Sequence, residues 1–270
     1  MANKFLKIRR SKPYQGLKDK FMYSRAYLKY KLNPYPKEVG ENPIFVFNHI
    51  PKCGGTSLNI VLRNWFHIVR DYPPHDLQYP NPEEWDRVQT LFENKPPIIG
   101  NLKPFQILVG HYHNHRNRFS KRISQKTDID NLKKITFVRE PLAHRLSLYK
   151  YAKKKGHKWI DGISLDDYVL SETNFLAKTL ECNEKNYMDV LDSYFFIGLT
   201  EDFQSSISRL AKNINRPTPR QTPFVNRTDS FSELEKLDKQ TIKLFKEKND
   251  LDYKVYEYAK SLFEKRNPQK

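Results

Sequence analysis

Two short segments of this 270-residue chain combine side chains and backbone features that bind oxyanions. The first, residues 51–57 with the sequence PKCGGTS, follows an apolar run and precedes a helical pattern of apolar residues. Its lysine supplies a positive charge, and its two glycines let the backbone turn sharply and bring N–H groups close to a ligand. The Thr and Ser add hydroxyl donors at the start of a helix, whose dipole attracts negative charge. The sequence therefore predicts a phosphate or sulfate site formed by Lys52, Cys53, Gly54, Gly55, Thr56 and Ser57.

The second segment, residues 134–149, also runs from an apolar strand pattern through a charged turn into a helix. Arg139 stands at the end of the strand, and Pro141 suits the first helical turn because its missing N–H costs nothing there. Ser147 lies about two helical turns after Arg139. A guanidinium and a hydroxyl spaced in this way can converge on one phosphate group.

Three histidines follow another apolar run, in residues 107–116 with the sequence ILVGHYHNHR. An imidazole can accept a proton near neutral pH, so His111 is a candidate general base and His113 is the second choice. A zinc site is an open alternative, because His111, His113 and His115 would share one face of a continued strand. Histidines on a polar loop are a third interpretation.

The order of these features resembles the sulfotransferases that use 3′-phosphoadenosine 5′-phosphosulfate (PAPS). It is most similar to their membrane-associated carbohydrate group, which includes heparan sulfate 2-O-sulfotransferase. The resemblance implies that the first segment is the 5′-phosphosulfate loop, with Lys52 catalytic, and that Arg139 and Ser147 hold the 3′-phosphate of the nucleotide. This sequence departs from the family pattern in two ways. Glu140 replaces the usual Asp, and the arginine often found inside the helix stands at Arg145, where its role is open.

The implied activity is transfer of the sulfuryl group from PAPS to a hydroxyl of a carbohydrate acceptor by in-line displacement. PAPS is then the cofactor, as sulfuryl donor, and no metal is expected. A Gly-His pair after a strand supplies the proposed base in the carbohydrate sulfotransferases, which implies this role for His111; Glu140 is a remaining candidate if neither His111 nor His113 is needed. The family also has a loop over the 3′-phosphate side of the nucleotide, and Asn226 and Arg227 match it, although a helix-capping loop is an equal interpretation.

The composition favours anionic partners. The chain has 48 Lys and Arg against 31 Asp and Glu, a net charge of +17, which suits nucleic acid, an anionic glycan or an anionic nucleotide. A basic nucleic-acid-binding protein and a nucleotide-phosphate kinase are therefore the alternatives. The first lacks a recognised reader motif, so no specific nucleic acid is expected, and the second lacks the glycine-then-lysine order and an identifiable Mg²⁺ site. The expected partner is a carbohydrate or glycan acceptor. Because the chain is strongly basic, this acceptor can be anionic.

The two cysteines, Cys53 and Cys182, are too few for a disulfide framework, and a catalytic thiol at Cys53 is a weaker alternative. No apolar run is long enough for a membrane span, and the basic N-terminal residues lack the apolar core of a signal peptide. We therefore expect a cytoplasmic protein if the source is bacterial. A membrane-surface role for the basic N-terminal arm is a weak alternative.

The elements that must position these residues alternate between strand and helix. Strand patterns are expected at residues 44–47, 98–99, 107–109, 135–138 and 195–199, and helices at residues 82–92, 232–247 and 252–264. This alternation indicates an α/β fold with a central parallel sheet flanked by helices, and the resemblance specifies the P-loop-like nucleotide-binding fold of the sulfotransferases. We expect a basic N-terminal arm or short helix in residues 1–40 and a single sulfotransferase domain in residues 41–270.

Overall fold

The computed structural model describes residues 12–73, 82–95, 97, 99–113, 116–123, 131–221, 234 and 236–266. Its centre is a sheet of five parallel strands in the order β2-β3-β1-β4-β5. The strands are β1 (Ile44–Asn48), β2 (His67–Asp71), β3 (Gln106–Gly110), β4 (Leu132–Val138) and β5 (Phe196–Leu199).

Helices surround this sheet. In the described part of the chain they are α1 (Lys12–Leu32), α2 (Gly55–Trp65), α3 (Pro82–Glu93), α4 (Phe119–Ile123), α5 (Pro141–Lys155), α6 (Leu165–Leu170), α7 (Phe175–Leu180), α8 (Tyr187–Asp192), α9 (Phe203–Asn213), α10 (Lys239–Lys248) and α11 (Asp250–Lys265). The predicted central parallel sheet flanked by helices, with a P-loop-like strand–loop–helix at β1 and α2, is confirmed.

Strand β1 lies in the middle of the sheet and brings the chemically interesting segments together. Its residues Phe45 to Asn48 are fully buried, as expected for a strand covered on both faces. It pairs with β3 on one side and with β4 on the other. Because all three strands are parallel, the segments that follow them leave the sheet at the same edge. The anion loop (residues 51–57), the histidines after β3 and Arg139 after β4 are therefore neighbours.

Two details of the sheet differ from the sequence-based expectation. The prediction of a strand at residues 98–99 is wrong for Ile99, which begins the 3₁₀ turn Ile99–Asn101. Residue 98 lies outside the described residues. The sequence also gave no sign of β2, whose residues HIVRD hold only two aliphatic side chains. Its last residue, Asp71, is buried because Arg122 on α4 pairs with its carboxylate, with Nε 2.7 Å from Oδ2.

The C-terminal helix α11 holds α7 in place beside the carboxyl edge of the sheet. The Asp252 carboxylate accepts hydrogen bonds from the backbone N–H groups of Leu176 (2.9 Å) and Ala177 (2.8 Å), the first turn of α7. Asn249 accepts another, from the N–H of Asn174, at 2.7 Å. The predicted helix at residues 252–264 is confirmed, and α11 begins two residues earlier. For residues 232–247 the described helix is the shorter α10.

The N-terminal segment forms a 21-residue helix, α1, at the opposite edge of the sheet. Its Tyr23 and Tyr27 rings pack edge-on against Phe105, which directly precedes β3, at 4.9 and 5.4 Å between centroids. Tyr23 also contacts His67, the first residue of β2. The division into an arm of residues 1–40 and a domain of residues 41–270 stays a prediction. No helix in the described ranges has both the length and the hydropathy needed to cross a bilayer.

Candidate active site

The loop after β1 is shaped by two glycines. Helix α2 begins at Gly55, and its N-cap residue Gly54 has a φ of 74°, in the left-handed region that favours glycine. A Cβ atom on Gly54 would lie 2.9 Å from the Phe203 ring, and one on Gly55 would overlap the ring of His49. Larger residues would therefore displace the loop from the N-terminus of α2, whose dipole favours an anion there.

Lys52 occupies a strained position in this loop. Its φ is 63°, a left-handed conformation that costs a residue with a Cβ atom roughly 1–2 kcal/mol. Its ammonium lies 4.4 Å from the centre of the Tyr151 ring on α5, a cation–π contact. Strain of this kind is retained where the surrounding structure fixes the backbone, and it clusters at functional sites.

Arg139 connects the two anion-binding segments. Its Nη1 donates a hydrogen bond to the carbonyl oxygen of Lys52 at 3.3 Å, although the two residues are 87 positions apart. Burial lowers the pKa of the Lys52 ammonium, and the positive charges of Arg139 and Lys154 lower it further. Both cations repel the Lys52 ammonium, and an anion bound beside it would relieve that repulsion.

Cys53 is buried behind this loop. Burial raises the pKa of its thiol well above the ordinary value, which keeps the sulfur protonated at neutral pH. The geometry therefore opposes the catalytic-thiol alternative. The backbone N–H of Cys53 donates to the carbonyl of Ile50 at 3.3 Å, so it helps to close the turn.

The remaining residues of the second segment have different surroundings. Ser147 lies on α5 as predicted and is fully buried, so its hydroxyl would meet a nucleotide only after its neighbours move; its phosphate-binding role stays a prediction. Arg145 is structural. It donates to the carbonyl of Tyr168 from Nε (3.1 Å) and Nη2 (2.7 Å) and forms an ion pair with Glu172 at 2.9 Å.

Glu140 caps helix α5 at its N-terminus. Its carboxylate accepts hydrogen bonds from the N–H of Ala143 (2.6 Å) and from the Tyr253 hydroxyl (2.9 Å). The carboxylate at this position therefore has a structural role, as the cap of the helix. Both oxygens are engaged, which makes Glu140 a poor candidate for the base.

His144 supports the anion loop from α5. Its Nε2 donates to the carbonyl oxygen of Pro51 at 2.9 Å, and its ring stacks on Phe175 of α7 with centroids 4.8 Å apart. Burial lowers its pKa to about 3, with the nearby charges of Arg139 and Arg145 acting in the same direction. Sequence reasoning gave His144 no role, although it directly precedes Arg145 in the second segment.

The histidines after β3 pack against His49, with the His49 and His111 rings tilted and the His111 and His113 rings edge to face. The rings of His49 and His111 lie 4.2 Å apart and those of His111 and His113 lie 5.5 Å apart. Nδ1 of His111 is 2.6 Å from the carbonyl oxygen of His49. Since a carbonyl only accepts, Nδ1 carries the hydrogen, and the neutral ring has its lone pair on Nε2. His111 is therefore held in the neutral tautomer whose Nε2 can accept a proton.

His49 packs against His111, and its own surroundings make it a poor candidate for the general base. Its Nδ1 lies 3.0 Å from the Tyr72 hydroxyl. Burial, followed by the charges of His111 and His113, lowers the pKa of His49 well below its ordinary value. Within the described ranges, no three His, Cys, Asp or Glu side chains are placed to hold a metal ion. His115, Asn226 and Arg227 lie outside the described residues.

A cleft of about 700 Å³ opens beside the anion loop. Pro51 and His113 form its wall next to the loop and the histidines. The exposed Trp159 side chain also lines the cleft, as do Phe175 and Lys178 of α7. The other residues that line it are Arg145, Leu148, Ile163, Tyr168, Ser171, Glu172 and Thr173.

A row of aromatic rings runs along the surface from Lys52 to this cleft. The Tyr151 ring under the Lys52 ammonium is followed by His157, with centroids 6.1 Å apart, and then by Trp159 at 6.0 Å. Trp159 in turn stacks on Tyr168, with centroids 6.0 Å apart. Sequence reasoning missed these residues because they come from α5, a 3₁₀ turn and α6, and only packing brings them together.

These features define a class of protein: an α/β fold with an anion loop and candidate base at the carboxyl edge of a parallel sheet. No protein-family model matches the chain, and no curated protein matches it. Among solved structures, it is similar to a sulfotransferase from Alicyclobacillus acidocaldarius, with a TM-score of 0.41 and 13% identity over 76% of this chain and 94% of that one. It is also similar to mouse sulfotransferase SULT7A1 complexed with PAP, with a TM-score of 0.35 and 13% identity over 89% of this chain and 95% of that one. Likenesses this distant do not establish function, which is inferred below from the site itself.

Proposed function

We propose that the protein is a PAPS-dependent sulfotransferase that acts on a hydroxyl of a carbohydrate. The proposal is carried by the hydrogen bond from Arg139 to the carbonyl of Lys52, because it joins two anion-binding segments at one edge of the sheet. PAPS has two separate anionic ends, a 5′-phosphosulfate and a 3′-phosphate. One segment for each end suits this molecule, whereas a nucleotide with a single phosphate chain needs only one.

The charge distribution supports the same ligand. The pKa of Lys52 is lowered in part by Arg139 and Lys154, so both cations are close enough to repel its ammonium. A nucleotide with several negative charges would stabilise all three. In this proposal, Lys52 and the N-terminus of α2 face the 5′-phosphosulfate, and Arg139 faces the 3′-phosphate. Ser147 reaches that phosphate only after its neighbours move, and Asn226 and Arg227 are further candidates.

Each step of sulfuryl transfer has a candidate residue. Bound PAPS supplies a sulfuryl group, whose S–O bond to the 5′-phosphate breaks as the acceptor oxygen bonds to sulfur. Nε2 of His111 accepts the proton of the acceptor hydroxyl, and the bond from its Nδ1 to the His49 carbonyl stabilises the resulting imidazolium. Lys52 balances the charge that develops on the leaving phosphate oxygen.

A carbohydrate acceptor is favoured by the cleft beside the loop. Trp159, whose side chain is 58% exposed, lines it and offers an aromatic face on which the apolar face of a sugar ring can pack. Glu172, Thr173 and Lys178 line the same cleft and can bond to the hydroxyls at the edge of the ring. A lining that combines an aromatic face with several polar groups suits a sugar, which has an apolar face and many hydroxyls, better than a phenol, which has one hydroxyl.

Nucleotide binding is the first test. We expect adenosine 3′,5′-bisphosphate to raise the melting temperature more than adenosine 5′-monophosphate, ATP with Mg²⁺ or an oligonucleotide, since only it presents both anionic ends. Arg139→Ala should remove most of the preference for the bisphosphate over the monophosphate in calorimetric titrations. Arg118→Ala, which removes an exposed arginine outside the two anion-binding segments, is the matched control. A dominant effect of ATP with Mg²⁺ or of the oligonucleotide would reject the proposal.

Transfer is the second test. Purified protein is incubated with PAPS labelled in its sulfur and a panel of neutral and acidic oligosaccharides, with small phenols for contrast. We expect label to appear on a carbohydrate and the bisphosphate to inhibit the reaction. Transfer to phenols alone would keep the reaction class and overturn the assignment of the cleft to a sugar.

A further inference from the structure

Helix α1 has an apolar surface that no described part of the chain covers. Its stripe, which we call the α1 stripe, consists of Leu17 (68% exposed), Phe21 (66%), Leu28 (57%) and Leu32 (78%). At the helical repeat these four residues fall within a sector of about 60°. Single exposed apolar residues are ordinary, but four aligned on one face of one helix are a feature that needs a partner.

The opposite face of α1 accounts for its attachment to the body. Tyr23 and Tyr27 contact Phe105, and Ala26 is buried. Asp19 lies 3.0 Å from Nε2 of His67. The helix is therefore fixed through its inner face, and the α1 stripe points away from the core. An amphipathic helix that served only the fold would have its apolar residues on the inner face.

Basic residues flank the α1 stripe on both sides. At the helical repeat, Lys18 and Arg25 fall on one side of it, and Lys20 and Lys31 on the other. The only acidic residue of the helix, Asp19, faces His67 and not the stripe. Residues 1–32 contain ten Lys and Arg against this one Asp, a net charge of +9 and more than half of the +17 of the whole chain.

From this arrangement we propose that α1 binds the surface of a bilayer rich in anionic lipid. The α1 stripe enters the boundary between headgroups and acyl chains, and the flanking cations lie at the level of the anionic headgroups. This combination of apolar stripe, basic margins and low overall hydropathy is the pattern of helices that lie in the plane of a membrane. Each lysine or arginine near such a surface adds to the attraction, and salt weakens it.

The charges oppose the other occupants. A second copy of the chain would bring two basic margins together, and like charges at close range disfavour the contact. Nucleic acid would satisfy the basic residues through its phosphates but would leave the leucines and Phe21 without an apolar partner. A bilayer with anionic headgroups matches both parts of the surface at once.

Binding in this orientation leaves the candidate active site accessible. Tyr23 and Tyr27 hold α1 at the amino ends of β2 and β3, whereas the anion loop and His111 lie beyond the carboxyl ends of the strands. The lipid surface would therefore lie at the amino ends of the strands, and the candidate active site at their carboxyl ends. The inference does not depend on the reaction that the site catalyses.

Sedimentation with vesicles tests the proposal on the full chain. We expect binding to vesicles of phosphatidylcholine with about one third phosphatidylserine, and weaker binding when the salt concentration is raised or phosphatidylserine is left out. The double variant Phe21→Gln/Leu28→Gln should bind these vesicles at least tenfold more weakly. The matched control is Leu91→Gln/Met188→Gln, which removes two exposed apolar side chains from α3 and α8 and should bind as the wild type does.

A fluorescent reporter covers the case in which the double variant misfolds. Phe21→Trp keeps the α1 stripe apolar, and its added emission should shift to the blue with the anionic vesicles, after subtraction of the wild-type spectrum. Wild-type affinity in a folded double variant, or no shift in the reporter, would overturn the proposal. So would a dimer, seen by sedimentation velocity and abolished by the double variant, in a protein that leaves vesicles unbound. Binding to an oligonucleotide in preference to vesicles, weakened equally by the double variant, would also overturn it.

Discussion

Lys52 combines two unfavourable features, a left-handed backbone and a position near two other cations. Both features are unfavourable in the protein without a ligand, and an anion beside the lysine would offset the second. A residue held in this way presents its charge at one place in the loop. Its substitution is therefore the most direct test at the scale of single residues.

We expect Lys52→Ala to lower turnover by about a hundredfold or more, because the charge on the leaving phosphate would lose its nearest balance. Lys52→Arg should restore activity only in part, since a planar guanidinium does not replace a point charge in a tight loop. The measurement is steady-state transfer of labelled sulfate, with Lys243→Ala, an exposed lysine of α10, as control. Near-normal turnover by a folded Lys52→Ala protein would show that the lysine is not part of the machinery.

His111 allows a prediction that separates chemistry from binding. His111→Ala should lower turnover by about a hundredfold or more, within the range of general-base removal, and leave affinity for adenosine 3′,5′-bisphosphate near normal. Wild-type activity should rise with pH as the imidazole loses its proton, and a metal chelator should have no effect. An active His111→Ala beside an inactive His113→Ala would move the base to His113, which lines the cleft directly.

The elements around the site are joined by polar contacts between distant parts of the chain. Helix α7 supplies Phe175, which stacks on His144, and Lys178, which lines the cleft. With only six residues, α7 is too short to be stable alone, and α11 caps it through Asp252. The C-terminal helix therefore stabilises the wall of the candidate acceptor site.

We expect Asp252→Ala to lower the free energy of unfolding by about 2–4 kcal/mol, because two buried N–H groups of α7 would lose their acceptor. Asp250→Ala is the matched control, two residues earlier, where the carboxylate forms only an exposed pair with Lys254; it should cost within about 1 kcal/mol. Urea unfolding measures both. Equal losses in the two variants would show that the α7 cap contributes nothing particular.

The sequence predicted the strand–loop–helix at residues 44–65 better than any other local structure around the candidate site, whereas anion binding by the loop stays a prediction. A tight turn before a helix requires particular residue types, so PKCGGTS identifies it locally. The cleft could not be predicted in this way, because Tyr151, Trp159 and Phe175 come from separate elements whose contact depends on packing. Strand β2 was missed for a related reason, since the burial of Asp71 depends on Arg122, 51 positions later.

At the scale of the whole molecule, two buried histidines contribute to the response to acid. Burial lowers the pKa of His144 from 6.5 to about 3 and lowers the pKa of His49 well below 6.5. Below pH 6.5 these two histidines therefore bind protons in the unfolded chain but stay neutral in the folded one. As a result, stability falls as the pH decreases from 6.5 toward 3. Asp252 acts in the opposite direction, since burial raises its pKa from 3.8 to about 6.

Comparison with His144→Gln isolates one of these groups. The glutamine keeps a donor for the Pro51 carbonyl but does not titrate, and the effect of Asp252 cancels between the two proteins. We expect the stability advantage of the wild type to shrink by on the order of 1 kcal/mol between about pH 7.5 and about pH 5.5. Urea unfolding at both pH values gives the difference. An unchanged difference would mean that His144 becomes protonated in the folded protein.

The central position of β1 also determines when the chain can fold during its synthesis. Both neighbours of β1 come later in the sequence, since Phe45 is paired with Ile107 on one side and Lys133 on the other. The apolar strand must therefore leave the ribosome well before either neighbour exists, and it stays exposed to aggregation in that interval. A nascent chain that ends before Arg139 has its glycine loop but lacks the cation that contacts it, so the two halves of the anion site can meet only after the first half of the protein has emerged.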